Sequence, residues 1–358
     1  MKLGQADREQ IMQILLFLGL IEEKISYLEQ IPVDVYIHIH RHLQHSDIAN
    51  FSKCSKHTKS FIFGKSSRKY LFPHLEIALN YEEQAFYSYF NSCLKMQTFR
   101  QDFILIGSGV YYLKDSKIQI KYDCSNIIGQ LQFNKIGNII QIVNIINIIY
   151  ALFDDGTIVS KNLLTKEETT TIELKECIFM SVNKQDLIIV IGDGNCFRWN
   201  GFLSRIRGPK YIVQAVDHDS NFKLMMTSNG LLYTCNSDYA ECHKFSTNNT
   251  FSQISGKYLL DRQGIVHEID LKTWKMKFIK NHERYGKVVG MINNVHYLFL
   301  LNREGKVFNY LLTDPVFSNV TNLITLYIGK LYYITENSLK YRDCYRLESS
   351  AHHVLTLQ

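Results

Sequence analysis

The sequence predicts a helical N-terminal third followed by an all-β propeller, an α+β multidomain chain. Seven blades are expected, and six are possible if the first or last pair of strands forms one split blade. Three observations predict it. Apolar residues recur at helical spacing up to about residue 98, and the texture then changes to short Ile-, Val-, Tyr- and Phe-rich runs broken by Gly, Asn and Asp. A strand–turn–strand signature recurs seven times in that second part. With 358 residues, 46% of them hydrophobic and only four prolines, the chain can bury a sizeable core and is not a disordered one.

The first element is a helix within residues 1–30. Ile11, Ile14, Leu15, Leu18, Ile21, Ile25 and Leu28 fall three or four positions apart, on one face, and Asp7 can cap the start. The apolar run at 11–21 is too short to span a bilayer at about 20 residues. It lacks an A-x-A cleavage site, and Glu22, Glu23 and Lys24 follow at once, so no membrane segment is expected. A second helix begins at Pro32, where a missing N–H costs nothing. Ser46 or Asp47 can cap a third. Amphipathic pieces at 70–80 and 82–96 make residues 71–100 a helical linker.

From 101 to 358 the strands repeat. The pieces are FILIGSGVYYL (103–113), IYALFDDGTIVS (149–160), LIIVIGDGNCFRW (187–199), KLMMTSNGLLYTC (223–235), KYLLDRQGIVHEI (257–269), YLFLLNREGKVFNY (297–310) and LYYITENSLKYRD (331–343). Each is an apolar strand, a polar turn, and an alternating strand. The turn column holds Gly109, Gly156, Gly194, Gly230, Gly264, Gly305 and Asn337, residues that tolerate the positive φ of hairpin turns. The spacings are 47, 38, 36, 34, 41 and 32 residues. A unit of this size is one small sheet that must stack on its neighbours, and such units close most economically as propeller blades. An irregular sandwich is the alternative, but it needs no turn glycine at a near-constant period.

A second apolar run precedes each turn strand: IIQIVNI (139–145), CIFMSVNK (177–184), IVQAVDHD (212–219), FSQIS (251–255) and VVGMINN (288–294). The unit reads V-x-x-I, a short connection, an apolar strand, D-G, then aromatic-x-Trp, as in CIFMSVNKQDLIIVIGDGNCFRWNG. This resembles the repeat of the regulator-of-chromosome-condensation propellers over residues 100–345. The sequence departs where that family has a Gly and a His between the two strands. Asn144, Lys184 and His218-Asp219 stand there instead, so blade geometry carries over better than exchange-factor activity.

The segment IPVDVYIHIHRHLQHSDIANFSKCSKHTKSFIF (31–63) resembles an F-box, whose order is L-P-x-E-V-L-x-x-I-F-x-x-L-x-x-x-D-L. Ile31-Pro32 stand for Leu-Pro, Asp34 for the acid, Val35 for Val, Ile39 and Leu43 for the apolar places, and Asp47-Ile48 for Asp-Leu. Tyr36, His40 and Thr58 depart from the pattern. The resemblance implies a domain over 31–70 that docks a Skp-family adaptor, and through it a cullin, with Ile31, Pro32, Val35, Ile39, Leu43 and Ile48 in contact or in supporting packing. The chain would then be the non-catalytic substrate receptor of a Skp–cullin–F-box ubiquitin ligase, its propeller holding a protein substrate. Residue spacing agrees, since Val35, Ile39 and Leu43 line one helix stripe.

Other chemistry is weaker. His38, His42 and His45 share helical spacing that could hold zinc, but they lie off the Ile39 stripe and no ligand set completes them, so they read as a polar helix surface. The eight cysteines form no C-x-x-C pair, read as unpaired, and suit a cytoplasmic or nuclear chain; Cys235 and Cys242 are too isolated for a zinc pair. Gly192-Asp193-Gly194 precedes a strand rather than a helix and reads as a turn, not a phosphate loop. No metal or other cofactor is expected. The net charge of +6 and the basic run at 53–70 lack an aromatic stacking pattern, so nucleic acid is not favoured. Substrate would sit on blade-connecting loops: 154–155, 198–207, 217–221, 261–263 and 302–304. Arg198, Arg205, Arg207 and Lys210 would suit an acidic or phosphorylated segment. The alternatives are a propeller scaffold for a small GTPase or chromatin, independent of ubiquitin ligation, and a propeller enzyme with a polar site at the channel.

Overall fold

Seven four-stranded antiparallel sheets follow one another along the chain, each a meander of consecutive strands. The computed structural model describes residues 48, 50, 52–53, 56–64, 82–100 and 103–356, except 108, 123–127, 173, 175, 218–221, 271–272, 274, 280–281, 294–296, 311, 313, 328–329, 337 and 345–350. Blade 1 is β1 (Phe103–Ile106), β2 (Gly109–Lys114), β3 (Lys117–Tyr122) and β4 (Ile128–Leu131). Blade 2 is β5 (Ile139–Ile145), β6 (Ile148–Phe153), β7 (Ile158–Asn162) and β8 (Glu168–Ile172). Blade 3 is β9 (Cys177–Asn183), β10 (Asp186–Ile191), β11 (Cys196–Trp199) and β12 (Leu203–Ile206). Blade 4 is β13 (Ile212–Asp217), β14 (Phe222–Thr227), β15 (Leu232–Asn236) and β16 (Cys242–Lys244). Blade 5 is β17 (Phe251–Ser255), β18 (Tyr258–Asp261), β19 (Val266–Asp270) and β20 (Lys275–Phe278). Blade 6 is β21 (Val288–Asn293), β22 (Leu298–Asn302), β23 (Val307–Asn309) and β24 (Pro315–Phe317). Blade 7 is β25 (Asn322–Tyr327), β26 (Lys330–Thr335), β27 (Ser338–Asp343) and β28 (His352–Thr356).

The molecule is therefore a seven-bladed propeller, and the split blade of the six-bladed alternative does not occur. The ring closes through side chains: Phe103, Val110 and Tyr112 of blade 1 pack with Tyr332, Leu339 and Val354 of blade 7. The second strands carry most of the apolar load. Ile149, Ala151 and Leu152, then Leu187, Ile188, Ile189 and Val190, are wholly buried, because both of their faces meet neighbouring blades. The outer strands face solvent on one side, and β12 and β20 are mostly exposed.

One expectation is corrected. Gly109 is not equivalent to the other turn glycines: it opens β2, in the hairpin between the first and second strands of its blade. The turn that matches the column is Asp115-Ser116, both at positive φ. FILIGSGVYYL was thus read one strand too early, which explains the long first spacing of 47.

Two helices are described ahead of the ring, α1 (Lys56–Phe63) and α2 (Glu83–Gln97). In α2, Phe86, Tyr89, Phe90 and Met96 fall on one side of the helix and are buried, while Ala85, Ser88 and Lys95 face water. Phe99 and Arg100 donate to the carbonyls of Met96 and Gln97, so the helix closes on tighter turns before β1.

A turn face sealed by glycines and covered by a helix

The turns between second and third strands gather on one face of the ring, with the connections that lead into each next blade. In blades 3 to 6 the turn has one form: the N–H of its glycine donates back three residues, to Ile191, Thr227, Asp261 or Asn302. The glycine itself sits at positive φ, +85° at Gly194 and +84° at Gly230. Its carbonyl accepts from the next blade: Tyr211 N–H to Gly194 O at 2.9 Å, Phe251 to Gly230 at 2.9 Å, Val288 to Gly264 at 3.1 Å, and Val320 to Gly305 at 3.1 Å. The missing side chain is what allows this approach. A Cβ on Gly230 would lie 2.5 Å from the Phe251 carbonyl oxygen.

A second stitch runs between innermost strands. The Gln141 side chain donates to Met180 O at 2.6 Å and accepts from Met180 N–H at 2.9 Å. Gln253 does the same to Met291, at 2.7 and 2.9 Å, and Gln214 accepts from Ile254 N–H at 2.9 Å. Each glutamine follows a bulge in its strand, which turns its amide toward the neighbouring blade. Sequence reasoning missed these residues. Their signal was present, a lone Gln third in IIQIVNI, IVQAVD and FSQIS.

Helix α2 lies on the turn face at blade 3. The Tyr89 ring occupies the place where a Gly192 side chain would stand, 2.2 Å from that glycine's ideal Cβ position. The Tyr211 ring likewise lies on Gly194, 2.4 Å from its Cβ position. Ser92 Oγ is 2.9 Å from Tyr211 Oη, and Lys95 Nζ stands 5.1 Å above the Tyr211 ring. Gly192-Asp193-Gly194 is thus a turn, as expected, and its second use is as a seat for two tyrosines. On the far side of α2, Phe63 of α1 packs its ring 4.9 Å from Tyr87 and 5.4 Å from Phe90. Ile48 and Ile62 are buried in the same cluster.

The expected site residues fall in different places. Ile31, Pro32, Val35, Ile39 and Leu43 lie outside the described residues, as do His38, His42 and His45; Ile48 is described and is 4% exposed. Arg205, Arg207 and Lys210 are exposed on the outer part of blade 3. Arg205 Nη2 donates to Asn195 Oδ1 at 2.7 Å and Lys210 Nζ to Asp193 O at 3.3 Å, which ties both to the turn that α2 covers. Arg198 is elsewhere. It pairs with Asp186 at 2.7 Å, in a network toward the opposite face with Lys223, Asp217, Asn183 and Tyr239. Burial raises the Asp217 carboxyl, but hydrogen bonds from Lys184, Lys223 and Asn183 outweigh it and hold the group below its ordinary value. The expected substrate loops are likewise divided: 154–155, 261–263 and 302–304 lie on the turn face, while Asp217 ends β13 on the other.

The cysteine reading is also corrected. Cys235 and Cys242 stand directly opposite one another in β15 and β16 and form a disulfide. The register joins what their separation of seven residues concealed. Cys93, Cys177 and Cys196 are free thiols that burial pushes up, to about 11, 12 and 12. Among the described residues no group of three or more His, Cys, Asp or Glu could hold a metal, and no helix is long and apolar enough to cross a membrane.

Residues 28–70 match the F-box domain family. The chain carries an F-box domain. No curated protein sequence matches the chain. Among solved structures it is similar to the computationally designed protein Ika8, at 12% identity over 71% of this chain and 88% of that one, with a TM-score of 0.50. It is similar to PorZ, a surface component of the type-IX secretion system of Porphyromonas gingivalis, at 10% identity over 72% of this chain and 38% of that one, TM-score 0.52. It is also similar to Prp20p of Saccharomyces cerevisiae, at 11% identity over 58% and 70%, TM-score 0.43. Likeness at these identities concerns the fold alone. α1 falls inside the F-box match, so the F-box end of the chain is packed through Phe63 onto α2, and α2 onto blade 3. An F-box with a propeller fits a non-catalytic adaptor subunit that binds other proteins.

Proposed function

We propose that this chain is a substrate receptor of a Skp–cullin–F-box ubiquitin ligase. The F-box match at 28–70 carries the reading. Ile31, Pro32, Val35, Ile39 and Leu43 contact the Skp-family adaptor, with Ile48 as packing support, and the adaptor brings the cullin. The turn face of the propeller holds the protein substrate, with Arg205, Arg207 and Lys210 available to acidic groups at its blade 3 rim. Catalysis belongs to other subunits.

The continuous packing from Phe63 through α2 to Gly192 supports this division of labour. A receptor needs its substrate held at a set distance from the adaptor, and a buried aromatic cluster is a stiff joint. The test is co-purification of a Skp-family adaptor with the wild-type chain and with Ile31→Asp plus Pro32→Ala. The adaptor is expected with the wild type and absent from the double variant. Adaptor absent from both would overturn the reading.

A further inference from the structure

A cavity of about 150 Å³ opens between α2 and the turn face at blades 2 and 3. Its walls are mainly apolar, from Phe90 and Leu94 on the helix and Ile140 and Ile178 at the propeller. Arg100 also lines it, at the point where the chain leaves α2 for β1. Arg100 Nη2 donates to Ile178 O at 2.7 Å, while its Nε is buried with no hydrogen-bond partner. No carboxylate pairs with this guanidinium among the described residues. Asp154 is also at the wall, with Asn138 Nδ2 donating to its Oδ2 at 2.9 Å, and no ion pair joins its carboxylate to Arg100.

We propose that this cavity binds a carboxylate carried on an apolar body. A largely buried guanidinium in a mainly apolar site is costly without an opposite charge, and its fork of donors fits a carboxylate edge. The hydroxyl and the thiol nearest it do not supply that charge. Burial pushes the Tyr89 hydroxyl and the Cys93 thiol up, the latter to about 11, so both stay neutral. The volume suits one ring or a short branched stem, since a cavity of roughly 150 Å³ can hold benzene. Two sources share this chemistry: a carboxylate at the end of a protein substrate, or a free organic acid. The inference rests on the receptor reading only in treating the turn face as a binding surface.

The test titrates the full chain by calorimetry with benzoate and with uncharged benzamide. Acetyl-Gly-Phe with a free carboxylate and the corresponding amide form a second pair. Benzoate is expected to saturate the wild type and to bind about tenfold or more tighter than benzamide, the effect of a charged hydrogen bond. Arg100→Met is expected to erase that preference. Ile140→Trp, which fills the space and leaves Arg100 in place, is expected to weaken both ligands. Saturation by the dipeptide acid identifies a chain terminus as the source, and saturation by benzoate alone identifies a free acid. Equal affinity for benzoate and benzamide on the wild type overturns the site, as does a preference that persists in Arg100→Met. Adaptor co-purification is run on the same proteins. A wild type that selects benzoate but brings no adaptor sinks the receptor reading and leaves this site standing.

Discussion

At the scale of single residues, a glycine can be judged by what its absent side chain would meet. Gly230 combines φ of +84° with a carbonyl 2.5 Å from its Cβ position, whereas Gly201, at φ +102°, has nothing within 4 Å. Gly230→Ala should therefore cost about 1–3 kcal/mol through backbone strain, with the inter-blade clash added. Gly201→Ala should cost only the strain, and urea unfolding of the two variants should rank them in that order. Asp217 gives a pH prediction. Its folded value lies below the ordinary 3.8, so its contribution to stability is full above 3.8 and drains away as pH falls through the folded value. Asp217→Asn should lower stability near neutrality but flatten the loss between about pH 5 and pH 2. If the variant's midpoint falls as steeply with acid as the wild type's, Asp217 is not the group responsible.

At the scale of elements, the legible parts were those with two agreeing signals. In blades 2 to 6 each second strand was an apolar run ended by a Gly at a turn, in blade 7 the column holds Asn337, and β6, β10, β14, β18, β22 and β26 lie where the runs put them. The fourth strands were not legible, because CHK of β16 and KMKF of β20 are short, polar and half-solvated, with no period to read. β25 was missed, although the first strands of blades 2 to 6, β5, β9, β13, β17 and β21, were read as the apolar runs before each turn strand. Gly109 misled because a glycine before a β-strand looks the same in either hairpin of a blade. The glutamine stitches needed register to be seen, for Gln141 and Met180 are 39 residues apart. Gln141→Leu leaves the Met180 N–H and C=O without this partner at a buried position, and the expected cost is about 1–3 kcal/mol in chemical unfolding. A variant as stable as the wild type would mean that the amide adds nothing to the junction between blades 2 and 3.

At the scale of the whole molecule, α2 is the part that makes one body of two. Its Tyr89 meets the propeller at Gly192 and its Phe90 meets Phe63 of α1, within one buried cluster. The sequence marked it as a linker with an apolar face, and which face of the propeller it covers was not readable, since that depends on Gly192 meeting Tyr89 across about a hundred residues. Phe90→Ala should cost about 3–5 kcal/mol of packing and loosen the helix from blade 3. Limited proteolysis should then cut near residues 100–102 before the propeller is attacked, and equal cutting rates in wild type and variant would remove α2 from this role.

The ring's last junction has its own consequence. Among the described residues blade 7 is a complete four-stranded sheet that meets blade 1 through side chains such as Leu339 and Tyr112, and no strand ladder latches the circle. Each sheet can finish forming as it leaves the ribosome, and the circle shuts only when the two ends meet as greasy surfaces. That gap is where the ring should breathe first on warming. Amide exchange should report it earliest in β1 and β25, with the blades opposite the gap the last to open.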